Sequence, residues 1–248
     1  MATAGGADRG AIRRPPGSRE FVDQVLAELL ESRYSPQGWV RFWGQSFRES
    51  LAQASGHTRA AVELSAGATL LWCAGHRRAA TLTWTLGITH LGLLGGGDRS
   101  LGWPNRLTLL RANLPALVRR GAPLLAPLAL ATDYLDGALA RKGGETAFGA
   151  YADGLADLTF WLWFLIENEP STPLRLLSGA LWAGPAVAVT GAYFKSGRSV
   201  DYPRSRAFRA LSVGCQMLVA ARAIHRSWAA RRTARAPRTT SSQLATGG

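Results

Sequence analysis

The 248 residues are 47% hydrophobic and 18% charged, with a formal net charge of +13, enough chain for one medium domain or a bundle of several membrane helices. The basic residues sit in short clusters beside apolar runs, and no zinc-finger, RNP-type or basic-zipper pattern occurs, which argues against nucleic acid as the partner and for an anionic lipid surface. Residues 1–20 and 229–248 are rich in Arg, Gly, Ser, Thr and Pro and are expected to be disordered tails; the N-terminus lacks the apolar run of a cleavable signal.

In chain order, residues 18–33 place Phe21, Val22, Val25, Leu26, Leu29 and Leu30 on one face, which predicts an amphipathic helix. Residues 37–54 repeat Trp39, Trp43, Phe47 and Leu51 every four positions beside Arg41 and Arg48, the pattern of a helix lying in a membrane interface. From residue 58 the chain turns apolar. Helices are expected at 60–75, 79–97, 106–119, 121–142, 145–167, 173–195 and 205–228, separated by Gly- and Pro-rich breaks. The runs 79–97 and 176–194 hold no Asp, Glu, Lys or Arg over nineteen residues, each long enough to span a bilayer. The 205–228 segment has only twelve uncharged residues in a row, and the helix at 60–75 carries Glu63; both are expected to be short, tilted or interfacial. Strand-like alternation and internal repeats are absent. The expected fold is all-α: a polytopic membrane helical bundle with N-terminal amphipathic interfacial helices. Its expected divisions are a cytosolic tail and juxtamembrane helices at 1–57, a membrane domain at 58–228 and a disordered basic tail at 229–248. Cys73 and Cys215 read as core packing, His90 as a helix-contact histidine and Asp98 as a solvated loop residue.

Asp133, Asp136, Asp153 and Asp157 interrupt apolar helical sequence, where an ionised group is costly and marks function. At about 100° per residue, Asp133, Asp136, Gly137, Ala140 and Arg141 share one helix face, and Gly149, Asp153 and Asp157 share a face of the next. The Gly143-Gly144 turn between them makes a hairpin, so two carboxylate stripes meet in one polar pocket. Carboxylates so close repel unless a cation sits among them, and oxygen ligands of this kind favour Mg²⁺, Mn²⁺ or Ca²⁺. The small residues leave room for a ligand, and Arg141 supplies a positive group for phosphate or nucleotide.

The string Asp133-Tyr-Leu-Asp136-Gly137-Ala-Leu-Ala140-Arg141, a seven-residue gap, then Gly149-Ala-Tyr-Ala-Asp153-Gly-Leu-Ala-Asp157 resembles the signature of the CDP-alcohol phosphatidyltransferases, DxxDGxxAR followed by GxxxDxxxD. All eight positions are present. Upstream, Pro104-Asn105-Arg-Leu-Thr108-Leu-Leu-Arg111 looks like the start of that family's first core helix. Asn105, Thr108 and Arg111 themselves read as ordinary helix-start residues. The resemblance covers about 104–195. It implies an enzyme of phospholipid biosynthesis that takes CDP-diacylglycerol, transfers its phosphatidyl group to an acceptor hydroxyl and releases CMP. It further implies that Asp133, Asp136 and Asp153 hold two divalent cations, Mg²⁺ or Mn²⁺, with Asp157 sharing one and acting as general base. Gly137, Ala140, Arg141 and Gly149 would shape and contact the CDP site. The family's bundle has three core helices after the signature where this chain has two, so a homodimer is an assembly to test for.

Parity of the helices puts the end of the 173–195 helix at the membrane depth of Arg141. The basic stretch Lys195, Arg198, Arg204 and Arg206 is therefore expected to bind a phosphorylated acceptor. The expected location is a bacterial plasma membrane, with the active site facing the cytosol. The competing readings are a CDP-linked small-alcohol phosphotransferase acting on diacylglycerol, a non-catalytic cation-binding membrane scaffold, and a cation transporter, which the missing inverted repeat disfavours.

Overall fold

The computed structural model describes residues 18–117, 123–143, 146–200 and 206–235. Among these it is all-helical, with no strand. The helices are α1 (Ser18–Glu31), α2 (Pro36–Ser55), α3 (Thr58–Cys73), α4 (Arg77–Ile88), α5 (Gly102–Leu117), α6 (Leu125–Gly143), α7 (Ala147–Asn168), α8 (Thr172–Ser196) and α9 (Arg206–Arg235), with a short 3₁₀ turn at Leu91–Leu94.

Helix α7 organises the rest, because its two ends belong to two different cores. Its first turns give Phe148 and Ala152 to a cluster with Ala60, Leu64, Ile88 and Leu91. Its second half gives Phe160, Trp161, Phe164 and Leu165 to a cluster with Leu125, Ala129, Trp182 and Val219. Apolar burial of this size is the main force holding such a helix in register. Asp153 and Asp157 lie in the turns between the two cores, so their positions are fixed from both ends. Helix α5 packs along α7 on one side and against α6 on the other.

Four sequence expectations are corrected. The uncharged run at 79–97 is not one helix: α4 has 12 residues and ends at Ile88, about 18 Å of helix and too short to cross a bilayer. The chain beyond it is broken by glycines that no other residue replaces cheaply. Gly95 and Gly97 have φ of 87° and 89°, a conformation costly for any residue with a Cβ, and a Cβ on Gly92 would meet the Gln53 side chain at 1.8 Å. The last helix, by contrast, does not stop at 228 but runs to Arg235, so part of the expected tail is helical; 236–248 lie outside the described residues. Helices α8 and α9 are long and apolar enough to cross a membrane. Their outward faces carry exposed Leu176, Leu177, Val187, Leu211 and Met217, an apolar surface suited to lipid. Cys215 is buried as expected, but Cys73 is exposed. Asp98 is tied down rather than merely solvated, accepting the Arg59 backbone N–H at 2.9 Å.

The α1–α2 hairpin docks on the far end of α8. Ser199 Oγ donates to Asp23 at 2.7 Å, Tyr34 donates to the Phe194 carbonyl, and the Trp39 and Phe194 rings lie 5.5 Å apart. Trp39 thus turns inward, leaving Val40, Trp43, Phe47 and Leu51 as the exposed apolar stripe of α2.

At the opposite end, Glu169 in the turn between α7 and α8 is fully buried. Its carboxylate accepts Arg222 Nε at 2.9 Å and Nη2 at 3.1 Å from α9, pairs with Arg226 at 3.5 Å and accepts the Ser171 N–H at 3.0 Å. Burial pushes this carboxyl up; the Arg222 hydrogen bonds, the Ser171 amide and the Arg226 charge outweigh it and hold it below the ordinary glutamate range. A carboxyl depressed on folding contributes stability above its unfolded pKa and loses it as pH falls through the folded value. Glu169→Gln should therefore lower Tm by roughly 5 °C at neutral pH. The gap to wild type should close as pH falls below about 4. Thermal unfolding of both proteins in detergent across pH checks this; a gap that persists unchanged at acid pH would remove the ion pair from the account.

Candidate active site

Three helices deliver the site. From α5, Asn105, Thr108 and Arg111 recur every three residues on one face, and all three are buried, Arg111 completely. From α6 come Asp133 and Asp136, one helical turn apart; from α7 come Asp153 and Asp157. The Gly143-Gly144 turn of the expected hairpin lies partly outside the described residues. The four carboxylates do come together, but across α5, which packs against both α6 and α7, and what they close around is Arg111. Its Nη1 lies 3.0 Å from Asp136 and 3.3 Å from Asp133, Nη2 pairs with Asp153, and Nε lies 3.0 Å from Asp157 Oδ1. Thr108 Oγ1 adds a 2.9 Å hydrogen bond to Asp136.

One guanidinium against four carboxylates leaves the centre with a formal excess of three negative charges. Buried like charges are tolerated only with more compensation than one arginine supplies. The geometry matches that need. One oxygen from each of Asp133, Asp136 and Asp153 lies within 4.8 Å of the others, a set able to hold a metal ion. Asp157 Oδ1 is buried and accepts no hydrogen bond. Asp136 is nearly closed off, whereas the Asp133 and Asp153 side chains are almost half exposed, so the oxygen set is open on one side. The residues present therefore fit divalent cations.

The small residues of the motif differ in what they do. A Cβ on Gly149 would sit 2.8 Å from Asn105 Oδ1 and 3.2 Å from Thr146 Oγ1, so this glycine lets α5 and the start of α7 approach. Thr146 caps α7 by accepting the Gly149 N–H at 3.0 Å. At Gly137 a Cβ would meet the end of the Arg141 side chain at 3.3 Å; the arginine folds over the space that the glycine leaves. Arg141 is exposed and Ala140 half-buried beside the same face.

The expected acceptor residues are less gathered. Lys195 and Arg198 are exposed at and after the end of α8, with no ion pair to the aspartates among the described residues. Arg204 lies outside the described residues, and so does the side chain of Arg206, which opens α9. The residues that sequence reasoning missed are those of α5: Thr108 and Arg111, set aside as helix-start residues, make direct contact with the carboxylates. The signal was their three-residue spacing with Asn105 just ahead of the motif. His90 stacks on Tyr151 with ring centroids 4.0 Å apart, the helix contact expected of it.

Four acids from adjacent helices around a buried guanidinium, open on one side, make a centre able to hold divalent cations of the kind used in phosphate-ester chemistry. The family model for CDP-alcohol phosphatidyltransferases matches residues 103–234, more than half of the chain, and the chain belongs to that family; it is a transferase of lipid biosynthesis. No curated protein and no solved structure matches it. Helices α1–α4 precede the matched span.

Arg111 also makes a prediction. Arg111→Met removes the one cation that, among the described residues, pairs with all four carboxylates, so the variant should unfold roughly 5 °C or more below wild type in chelator. Millimolar Mg²⁺ should recover more of the loss than it adds to wild type. Thermal unfolding with and without Mg²⁺ measures this; equal Tm values in chelator would contradict the assignment.

Proposed function

We propose that the chain transfers a phosphatidyl group from CDP-diacylglycerol to an acceptor hydroxyl and releases CMP. The observation that supports it is the oxygen cluster of Asp133, Asp136 and Asp153, with Asp157 beside it on the same arginine. In this reading Asp133, Asp136 and Asp153 hold two divalent cations, Mg²⁺ or Mn²⁺, with Asp157 sharing one. When bound, divalent cations would neutralise charge on the pyrophosphate and on the departing CMP. Gly137, Ala140, Arg141 and Gly149 shape the CDP site: the exposed guanidinium of Arg141 bonds the nucleotide's phosphates, Gly137 leaves the space that side chain folds over, and Gly149 lets α5 close against the start of α7. Asp157 takes the proton of the acceptor hydroxyl as its oxygen attacks the phosphorus attached to the lipid. Arg111 and Thr108 hold the carboxylates in register throughout. Lys195 and Arg198, with Arg204 and Arg206, bind a phosphorylated acceptor.

The reading includes a membrane setting. Helices α6 and α7 span with α8 and α9, their acids turned to the shared interior and their outward faces apolar, as exposed Leu128, Leu135, Leu139 and Ile166 suit. The short turn at Glu169 reverses the chain, so the end of α8 returns toward the start of α7. That end, with the aspartates, faces the cytosol of a bacterial plasma membrane. The stripe of α2 rests in the interface beside Arg41 and Arg48.

The test is CMP release from labelled CDP-diacylglycerol by the purified protein with Mg²⁺ or Mn²⁺, across a panel of acceptors with and without phosphate. Release only from a CDP-linked small alcohol with diacylglycerol would transfer the proposal to that reaction, and no release from either would reject it. Asp133→Asn and Asp153→Asn should each abolish turnover with the fold retained, since an amide keeps the shape but loses the charge that binds a divalent ion. Near-normal turnover of either at saturating Mg²⁺ would contradict its role. Asp157→Asn should slow turnover about 10²–10⁴-fold with a smaller change in CMP affinity measured by titration. A collapse of CMP affinity with an unchanged chemical step would make Asp157 a ligand and not the base.

A further inference from the structure

A groove of about 860 Å³ runs between α4, α5 and α7, and the proposed transfer chemistry makes no use of it. None of the four aspartates lines it, nor does Arg111. It lies along other faces of α5 and α7, with Leu109 and Ala112 on one and Tyr151 and Leu155 on the other. Its third wall is α4, which precedes the family's span. Two of its polar groups pair with each other: Thr83 Oγ1 donates to Asn113 Oδ1 at 2.9 Å. What remains open is apolar, including Leu82, which is 62% exposed.

Charge is confined to one end. His76, Arg77 and Arg78 line the groove where α4 begins. Arg77 and Arg78 are exposed, and neither has a carboxylate partner among the described residues. The Arg77 guanidinium lies over the Trp72 ring, 5.8 Å from its centroid, an arrangement that steadies a cation without neutralising it. An apolar slot with unpaired guanidinium groups at one end is complementary to an amphiphile with an anionic head. Two arginines beside exposed tryptophan, as Trp72 is, also match the level at which lipid headgroups meet protein.

We propose that this groove binds a non-reacting anionic phospholipid of the surrounding bilayer. Its acyl chains lie between α4 and the α5–α7 pair, and its phosphate rests on Arg77 and Arg78. The lipid fastens the N-terminal helices to the catalytic core and is distinct from the lipid that reacts. The proposal requires the membrane setting but not the transfer reaction, and its readout is independent of CMP release.

The experiment uses full-length protein in uncharged detergent, supplied with dioleoylphosphatidylglycerol or dioleoylphosphatidylcholine, with retained lipid counted by native mass spectrometry. Wild type should retain phosphatidylglycerol, and R77Q/R78Q should retain it roughly tenfold less or weaker still. Phosphatidylcholine should be held no better by wild type than by the variant. Leu82→Trp, at an exposed groove position, keeps both arginines but fills the slot and should also lose the lipid. Equal retention of the two lipids by wild type, or full retention of phosphatidylglycerol by R77Q/R78Q, overturns the charge assignment. Full retention by Leu82→Trp places the lipid outside the groove and overturns the site.

Discussion

Arg111 is wholly buried, and its ion pairs reach all four aspartates of the motif. A side chain in that position cannot be exchanged for an apolar one without leaving like charges facing each other at low dielectric, where their repulsion is weakly screened. It also cannot neutralise them alone. One guanidinium orders the centre, and the remaining negative charge suits it to further cations. That tension links the stability of three helices to the chemistry they carry, because Asp133, Asp136 and Asp153, which pair with Arg111, are also the carboxylates able to hold a metal ion.

The rest of the fold keeps this centre from spreading. Helix α7 is seated at both ends in separate apolar cores, and its far end is pinned to α9 through Glu169. Gly149 lets α5 lie close enough for its arginine to reach between the acids. The N-terminal helices contribute from outside the family's span: α1 and α2 hold the end of α8, and α4 forms the outer wall of a groove beside α5 and α7. Two ends of the bundle are thus fastened by polar contacts, and the charged centre lies between them.

Much of this is legible in the amino-acid sequence. The helix order is, because glycine and proline punctuate it, and so is the convergence of Asp133, Asp136, Asp153 and Asp157, because fixed spacing on a helix fixes a face. What a single sequence hides is pairing over distance. Arg111 stands 25 residues from Asp136 and 42 from Asp153, so it looks like any arginine near a helix start. Glu169 sits in the polar triplet Glu167-Asn168-Glu169, and its partner Arg222 lies 53 residues on. The 79–97 run misleads for a different reason: absence of charge says nothing about backbone, and α4 ends at Ile88, with Gly95 and Gly97 at positive φ beyond it, well before the apolar character does. The extension of α9 to Arg235 is hidden by its arginines, which are compatible with helix but raise the polarity of the segment.

The account stands most directly on the stoichiometry of a divalent ion at the aspartates. Mn²⁺ binding to the purified full-length protein, followed by electron paramagnetic resonance with CMP present, should give two ions per chain in wild type, as a two-metal centre requires. In Asp153→Asn that binding should be lost or halved. Wild-type protein that binds no Mn²⁺, or an Asp153→Asn variant that binds it as wild type does, would contradict a cation centre held by these four acids around Arg111.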